Sequence, residues 1–191
     1  MDIEYKVIRS MRKTLALSLD GEGVVIVRAP LLCSPKTIDK FVRDSAPWIE
    51  RQKRRAARIE RTANEDGPLT KEDIAALSRE MKKALPAKLA RYSALLGVRY
   101  SRVSVRCQRT KWGSCSAKGG LNFNCLLMLA PEEVLDYVVV HELCHLKHMD
   151  HSKEFWDMVA SAVPDHKAHR KWLRENGPAI MKRAEAVKSS R

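Results

Sequence analysis

Residues 141–145 read His-Glu-Leu-Cys-His, and their types and spacing suit metal-ion chemistry. His141 and His145 are four residues apart, so on a helix they share a face and can bind one ion. Neutral imidazoles suit zinc, and a catalytic zinc usually has three protein ligands and one position open to water. Glu142 lies beside them, where its carboxylate can take a proton from that water. The run predicts a site for one Zn²⁺ per chain with one ligand still to be found.

Three residues that follow the run are candidates for the third ligand. His148 lies on the same helical face, but seven residues of rise separate it from His141 by about 10 Å along the axis. Bonds of roughly 2 Å to one tetrahedral ion do not span that distance. His151 fits if the helix ends near Lys147 and the chain turns back, and Asp150 is the alternative. We therefore predict His151 as the third ligand.

The element that carries the run is predicted to be a buried helix. Pro131 opens it, and Glu132 and Glu133 lie in the first turn, where the helix dipole favours negative charge. Residues 134–146 are apolar on most sides, as in a buried helix. Unpaired polar groups are costly there, and metal ligation explains the histidines. Several side chains could steady negative charge on a substrate carbonyl; these are Tyr137, His148, His166, His169 and the basic residues near Arg109.

A β-hairpin is predicted directly before that helix. Apolar residues alternate with polar ones over residues 103–107 and again over 121–125. Between the two runs, Trp112 and Gly113 are predicted to act as a core anchor and a tight bend. The alternative is that they line a cleft and that Cys115 approaches the metal.

The first half of the chain is predicted to form a separate unit. Residues 3–27 indicate three strands of an antiparallel meander, with a turn at 20–23. Ser34 and Pro35 begin a helix, and a second, basic helix runs to about Thr62. Residues 64–68 are the candidate linker. We therefore predict an N-terminal domain over 1–64 and a metal-binding hydrolase domain over 69–191.

The helix after the linker has clear start and stop signals. Thr70 and Asp73 have the spacing of a capping box, and Gly97 follows the last apolar residue as a C-cap. The helix is predicted to bend near Pro86.

Positive charge is concentrated just before the metal-binding run. Residues 71–120 contain 12 Lys and Arg against 3 Asp and Glu, within a net charge of +13 for the chain. A phosphate-bearing partner or a solvated basic surface explains the excess equally well. Candidates for substrate contact are Arg106, Arg109 and Lys111. This region supports one alternative function, a metal-dependent nucleotide phosphohydrolase of the pyrophosphatase type.

The basic helix carries five arginines along one side. They are Arg51, Arg54, Arg55, Arg58 and Arg61. Such a stripe can contact nucleic-acid phosphates, although a solvated helix face has the same pattern. The other alternative is therefore a nucleic-acid-associated zinc protein, or a protease acting on DNA-bound proteins.

The sequence indicates a cytoplasmic protein without a membrane segment. Its first residues, MDIEYKV, lack the apolar region of a secretory signal, and residues 134–140 are too short an apolar run to span a bilayer. The five cysteines form no CxxC pair, so we expect reduced thiols.

Three motifs together resemble the YgjP-like, or DUF45, family of predicted zinc metallopeptidases. They are the run at 141–145, His-Ser-Lys-Glu-Phe-Trp at 151–156 and Lys-Trp-Gly-Ser-Cys-Ser at 111–116. A more distant similarity is to SprT-like and WLM-type proteases. Unlike the metzincin pattern, position 148 is His and not Gly, so the turn before residue 151 must be made differently.

The resemblance implies a zincin-like α+β fold with an active-site helix and an antiparallel hairpin. It implies that His141, His145 and His151 bind zinc and that Glu142 is the general base. The hairpin would offer an edge strand to a peptide or protein substrate. The residues alone indicate a metal-dependent hydrolase, and the resemblance makes a metallopeptidase the leading hypothesis.

Overall fold

The computed structural model describes residues 3–20, 23–185 and 187. Within these residues the chain forms six strands in two sheets and six α-helices, which confirms the α+β class. It divides into two compact units, Met1–Arg61 and Thr62–Arg191. No helix in the described ranges is long and apolar enough to cross a membrane.

The first unit contains a mixed sheet and not the predicted antiparallel meander. Its strands are β1 (Tyr5–Ser10), β2 (Ala16–Leu19) and β3 (Val25–Pro30), in the order β1-β3-β2. β3 is antiparallel to β2 but parallel to β1. β3 takes the central position because it is the strand of the three that carries fully buried apolar side chains. Of the predicted turn, residues 21 and 22 lie outside the described residues.

The first helix of this region begins as predicted, and the second ends later than predicted. In α1 (Pro35–Asp44) the Ser34 side chain accepts a hydrogen bond from the Thr37 amide at 3.1 Å. α2 (Ala46–Asp66) continues past Thr62 through the first part of the expected linker. No helix-breaking residue occurs before Gly67, which has a positive φ of 74°. The five arginines of α2 are exposed.

The second unit begins with the capped helix predicted from sequence. α3 (Lys71–Leu96) starts with a capping box in which Thr70 and Asp73 bond to each other's backbone amides, at 2.8 and 3.1 Å. It ends at Gly97, which is left-handed with φ 59°. Pro86 lies inside the helix.

The second sheet differs from the predicted hairpin. Its strands are β4 (Arg102–Arg106), β5 (Gly113–Cys115) and β6 (Gly120–Asn124), in the order β4-β6-β5. β5 and β6 form the antiparallel pair, whereas β4 runs parallel to β6. The alternating runs therefore do not pair as a hairpin, because β5 lies between them in sequence and makes the tight turn to β6. A 3-10 turn (Cys125–Leu129) also separates β6 from the next helix.

Three helices complete the unit around its core. They are α4 (Glu132–Cys144), α5 (Lys153–Ala162) and α6 (His166–Arg183). α4 is buried along most of its length, as predicted. Its polar Asp136 is paired, because Lys88 of α3 donates to it at 2.7 Å and Tyr92 at 3.0 Å. The helix that carries the histidines is thus fixed to α3.

Candidate metal centre

The end of α4 determines where the histidines lie. The helix stops at Cys144, and His145 is its C-cap residue. The chain then turns, with the His148 amide donating to the Cys144 carbonyl at 3.0 Å. Lys147 donates its Nζ to the Leu96 carbonyl at 2.9 Å, which anchors this turn to the end of α3. The turn brings His151 back toward the helix.

Three imidazole nitrogens converge on one point. The Nε2 atom of His141 lies 3.2 Å from Nε2 of His145 and 3.3 Å from Nε2 of His151. Nitrogens bonded to one tetrahedral zinc at about 2.0–2.1 Å are about 3.3 Å apart. The three side chains can therefore hold one metal ion between them.

Neither alternative ligand belongs to the group that could hold a metal ion among the described residues. Asp150 accepts a hydrogen bond from the Ser152 amide at 3.3 Å through its carboxylate. His148 contributes its backbone carbonyl, which lies 2.9 Å from Nδ1 of His145. A carbonyl only accepts, so Nδ1 of His145 carries the proton and its Nε2 presents a lone pair.

Burial keeps the inner histidines neutral. Burial, together with the charges of the neighbouring histidines, lowers the pKa of His141 to about 3. Burial also lowers the pKa of His145, against the opposing effect of its hydrogen bond to His148. Neutral imidazoles are the form that binds metal, so this set is ready to bind an ion at neutral pH.

α5 contributes an aromatic ring that packs against all three histidines. Ser152 caps this helix by accepting from the Phe155 amide at 3.4 Å. The Phe155 ring is fully buried, with its centroid 5.0 Å from that of His141, 4.6 Å from His145 and 4.8 Å from His151. Packing against one rigid ring restricts the orientation of all three imidazoles.

Glu142 is buried beside the cluster, with 6% of its surface exposed. Burial raises its pKa to about 8, and the positive charge of Lys111 partly opposes this rise. A carboxyl group with a pKa near neutrality can both accept and return a proton.

Gly113 of β5 has no side chain, and Glu142 occupies the space where one would lie. A Cβ atom on Gly113 would lie 2.6 Å from Oε1 of Glu142 and 2.7 Å from its Cγ. Gly113 has no positive φ, so the close approach of Glu142 explains this glycine and the predicted bend does not. β5 is thereby the wall that faces the carboxylate.

The loop before β5 is held by a residue that the sequence analysis missed. Asn124 is fully buried, and its Nδ2 donates to the carbonyls of Lys111 at 2.8 Å and Gln108 at 3.1 Å. Its backbone amide donates to the Trp112 carbonyl at 2.8 Å. The available signal was an asparagine placed directly before the apolar run 125–130.

Trp112 anchors this loop to α6, as the core interpretation predicted. A Cβ atom on Gly177 would lie 2.8 Å from the Trp112 ring, so the indole packs directly on the helix backbone. Cys115 is outside the group of potential metal ligands found among the described residues. Burial, and then the charge of Glu142, raises the pKa of its thiol.

Of the other candidate residues, some lie beside the histidines and others do not. The Tyr137 ring lies 5.8 Å from that of His141 and 6.3 Å from that of His169. His166 is buried and stacks on Trp156 at 5.7 Å. The basic candidates divide, since Lys111 acts on Glu142 whereas Arg106 and Arg109 line a cavity of about 670 Å³ whose walls contain none of the three histidines. Their roles stay predictions.

Comparison with known proteins identifies the family of the chain. The model of the YgjP-like metallopeptidase domain matches residues 68–176, which hold the three histidines, Glu142 and the loop before β5. The chain belongs to the YgjP-like metallopeptidase family. A metal cofactor and a peptide or protein substrate follow at the level of the family. The similarity to SprT-like and WLM-type proteases stays a prediction.

A solved structure is also similar to part of this YgjP-like protein. It is the crystal structure of the metallopeptidase zymogen of Pyrococcus abyssi abylysin, with 26% sequence identity. The match covers 47% of this chain and 92% of that chain, with a TM-score of 0.42. No curated protein matches this chain significantly.

Proposed function

We propose that this protein is a zinc-dependent peptidase in which His141, His145 and His151 bind the metal and Glu142 is the general base. The observation that carries the proposal is the convergence of three Nε2 atoms beside a buried carboxylate. In a chain of a metallopeptidase family, that arrangement has a direct chemical use.

The donor set fits zinc on its chemistry. Three neutral imidazoles leave one tetrahedral position open, which distinguishes a catalytic zinc from a structural one with four protein ligands. A bound zinc ion supplies Lewis-acid chemistry, polarising a carbonyl and lowering the pKa of water to about 7. The tautomer of His145 suits this role, because its Nδ1–H donates to the His148 carbonyl and its Nε2 lone pair faces the other two imidazoles.

Glu142 performs the proton transfers in this proposal. Its Oε1 lies against Gly113 of β5. The carboxylate accepts a proton from the attacking water and returns it to the leaving amine nitrogen. Lys111 limits the rise of its pKa, which favours the charged form needed for the first transfer.

β5 offers a binding surface for an extended peptide. It lies at one edge of the sheet, so one side of its backbone has no strand partner among the residues that the structure describes. A peptide that pairs with this edge would run past the carboxylate of Glu142. No comparable observation favours the alternatives, because the five arginines of α2 all lie in the first unit and the family points to peptides.

Metal content and cleavage test the proposal together. Protein purified without added metal is expected to contain about one zinc per chain by mass spectrometry, with His151→Ala losing it. His148→Ala is the matched control and should retain zinc, because only its backbone carbonyl supports the site. Cleavage of a peptide library should require Glu142, and nucleoside triphosphates should not be hydrolysed. Full peptide cleavage by zinc-loaded Glu142→Gln would overturn the assignment.

A further inference from the structure

The guanidinium group of Arg170, on α6, lies at the edge of the histidine cluster. Its Cζ is 4.9 Å from the ring centroid of Trp156. That ring lies 5.6 Å from His151 and 5.9 Å from His141. The positive charge reaches the site, because it adds to the burial that lowers the pKa of His141 and opposes the burial that raises the pKa of Tyr137.

The helix fixes this position. His166 and Arg170 are one turn apart on α6, so both side chains lie on the same face and both meet Trp156. The buried His166 ring stacks on the indole at an interplanar angle of 21°. Arg170 is therefore held beside the metal site by an aromatic contact that leaves its N–H donors available.

Those donors are not used within the described part of the chain. Arg170 is exposed, and no hydrogen bond or ion pair joins it to the residues that the structure describes. A guanidinium presents a planar fork of N–H groups that matches the two oxygens of a carboxylate. Lys111, whose charge acts on Glu142, adds a second cation near the site.

The exposure of Arg170 to water decides whether it stabilises an oxyanion or binds a substrate carboxylate. Stabilisation of a developing oxyanion draws its strength from a site that excludes water, and Arg170 is open to water. A carboxylate already present on the substrate can be bound at such an exposed rim through two parallel hydrogen bonds.

We propose that Arg170 binds a carboxylate of the peptide substrate, so that the site prefers peptides with negative charge close to the scissile bond. The proposal rests on the peptidase function proposed above and names its substrate class. The carboxylate belongs either to an acidic side chain or to the C-terminus of the peptide.

Binding without turnover tests this directly. Four versions of one labelled, alanine-rich peptide carry Asp or Asn at the centre, each with a free or an amidated C-terminus. Their affinity for zinc-loaded Glu142→Gln is measured by fluorescence anisotropy, with and without Arg170→Gln. Loss of Arg170 should weaken binding of a carboxylate-bearing peptide about 10-fold or more and change binding of the neutral peptide less than about 2-fold. Arg170→Lys should recover part of the loss.

Lys171→Gln is the matched control, since it removes one exposed positive charge from the adjacent position of α6. A loss confined to the Asp peptides identifies a side-chain carboxylate, and one confined to free C-termini identifies a terminal carboxylate. Equal weakening of all four peptides, or the same effect from Lys171→Gln, would overturn the proposal. Peptidase activity is tested separately with unmodified Glu142, so its absence would refute the function without altering the binding result.

Discussion

Replacing Gly113 with alanine perturbs the closest packing in the candidate metal centre. The added methyl carbon would lie 2.6 Å from Oε1 and 2.8 Å from Cδ of Glu142. Non-bonded carbon atoms pack at about 3.5–4.0 Å, so the carboxyl group must retreat by roughly 1 Å. A displacement of that size lowers a catalytic rate by about 100-fold. The zinc ligands are not touched, so metal binding should be unchanged.

The same substitution has opposing effects on stability. Overpacking a buried site costs about 1–3 kcal/mol. Replacing glycine also restricts the unfolded chain, which offsets about 0.4–1 kcal/mol of this cost. We expect the free energy of unfolding to fall by about 1–2 kcal/mol, a loss that leaves a stable domain folded.

The assay compares kcat per bound zinc with urea unfolding of the same preparations. Gly120→Ala is the control in the neighbouring strand, because its Cβ would meet the side chains of Arg102 and Ser116 at 3.1 Å and not that of Glu142. It should retain most of its activity. If Gly113→Ala keeps the wild-type kcat, Glu142 is not held in place by β5 and the positioning argument is wrong.

Two further predictions concern the elements that support the site. Asp136→Asn should lower the free energy of unfolding, measured in urea, by about 1–3 kcal/mol, because it leaves the half-buried Lys88 with weaker partners. Adding Lys88→Met to this variant should recover part of the lost stability. If the two substitutions instead change the free energy of unfolding additively, the pairing is contradicted. Asp73 has a pKa below its usual 3.8, through hydrogen bonds from Thr70, so its capping contribution is present above that pH and disappears as the pH falls through the lowered value. Thermal unfolding should show the difference between wild type and Asp73→Ala shrinking in acid, and a constant difference would refute the linkage.

Local signals in the sequence were sufficient to predict the helix caps and to choose the candidate metal ligands. The Ser34 cap, the Thr70 capping box and the Gly97 C-cap all depend on residues within a few positions of one another. The spacing of His141 and His145 likewise fixes a shared face through helical geometry alone. The choice of His151 over His148 also followed from helical rise, which is a local quantity.

Strand pairing and close approaches depended on the tertiary structure. Alternation shows that residues 103–107 form a strand, but its partner and direction depend on residues far away in sequence. In the same way, no property of Gly113 reveals that Glu142 lies against it, and nothing local places Arg170 on Trp156. The sequence by itself predicted the three histidines that can hold a metal ion between them and proposed Glu142 as the group that moves a proton. Only the packing of β5, α5 and α6 around α4 decided what surrounds these residues. Those contacts join segments that are far apart along the chain, and distance along the chain does not predict distance in space.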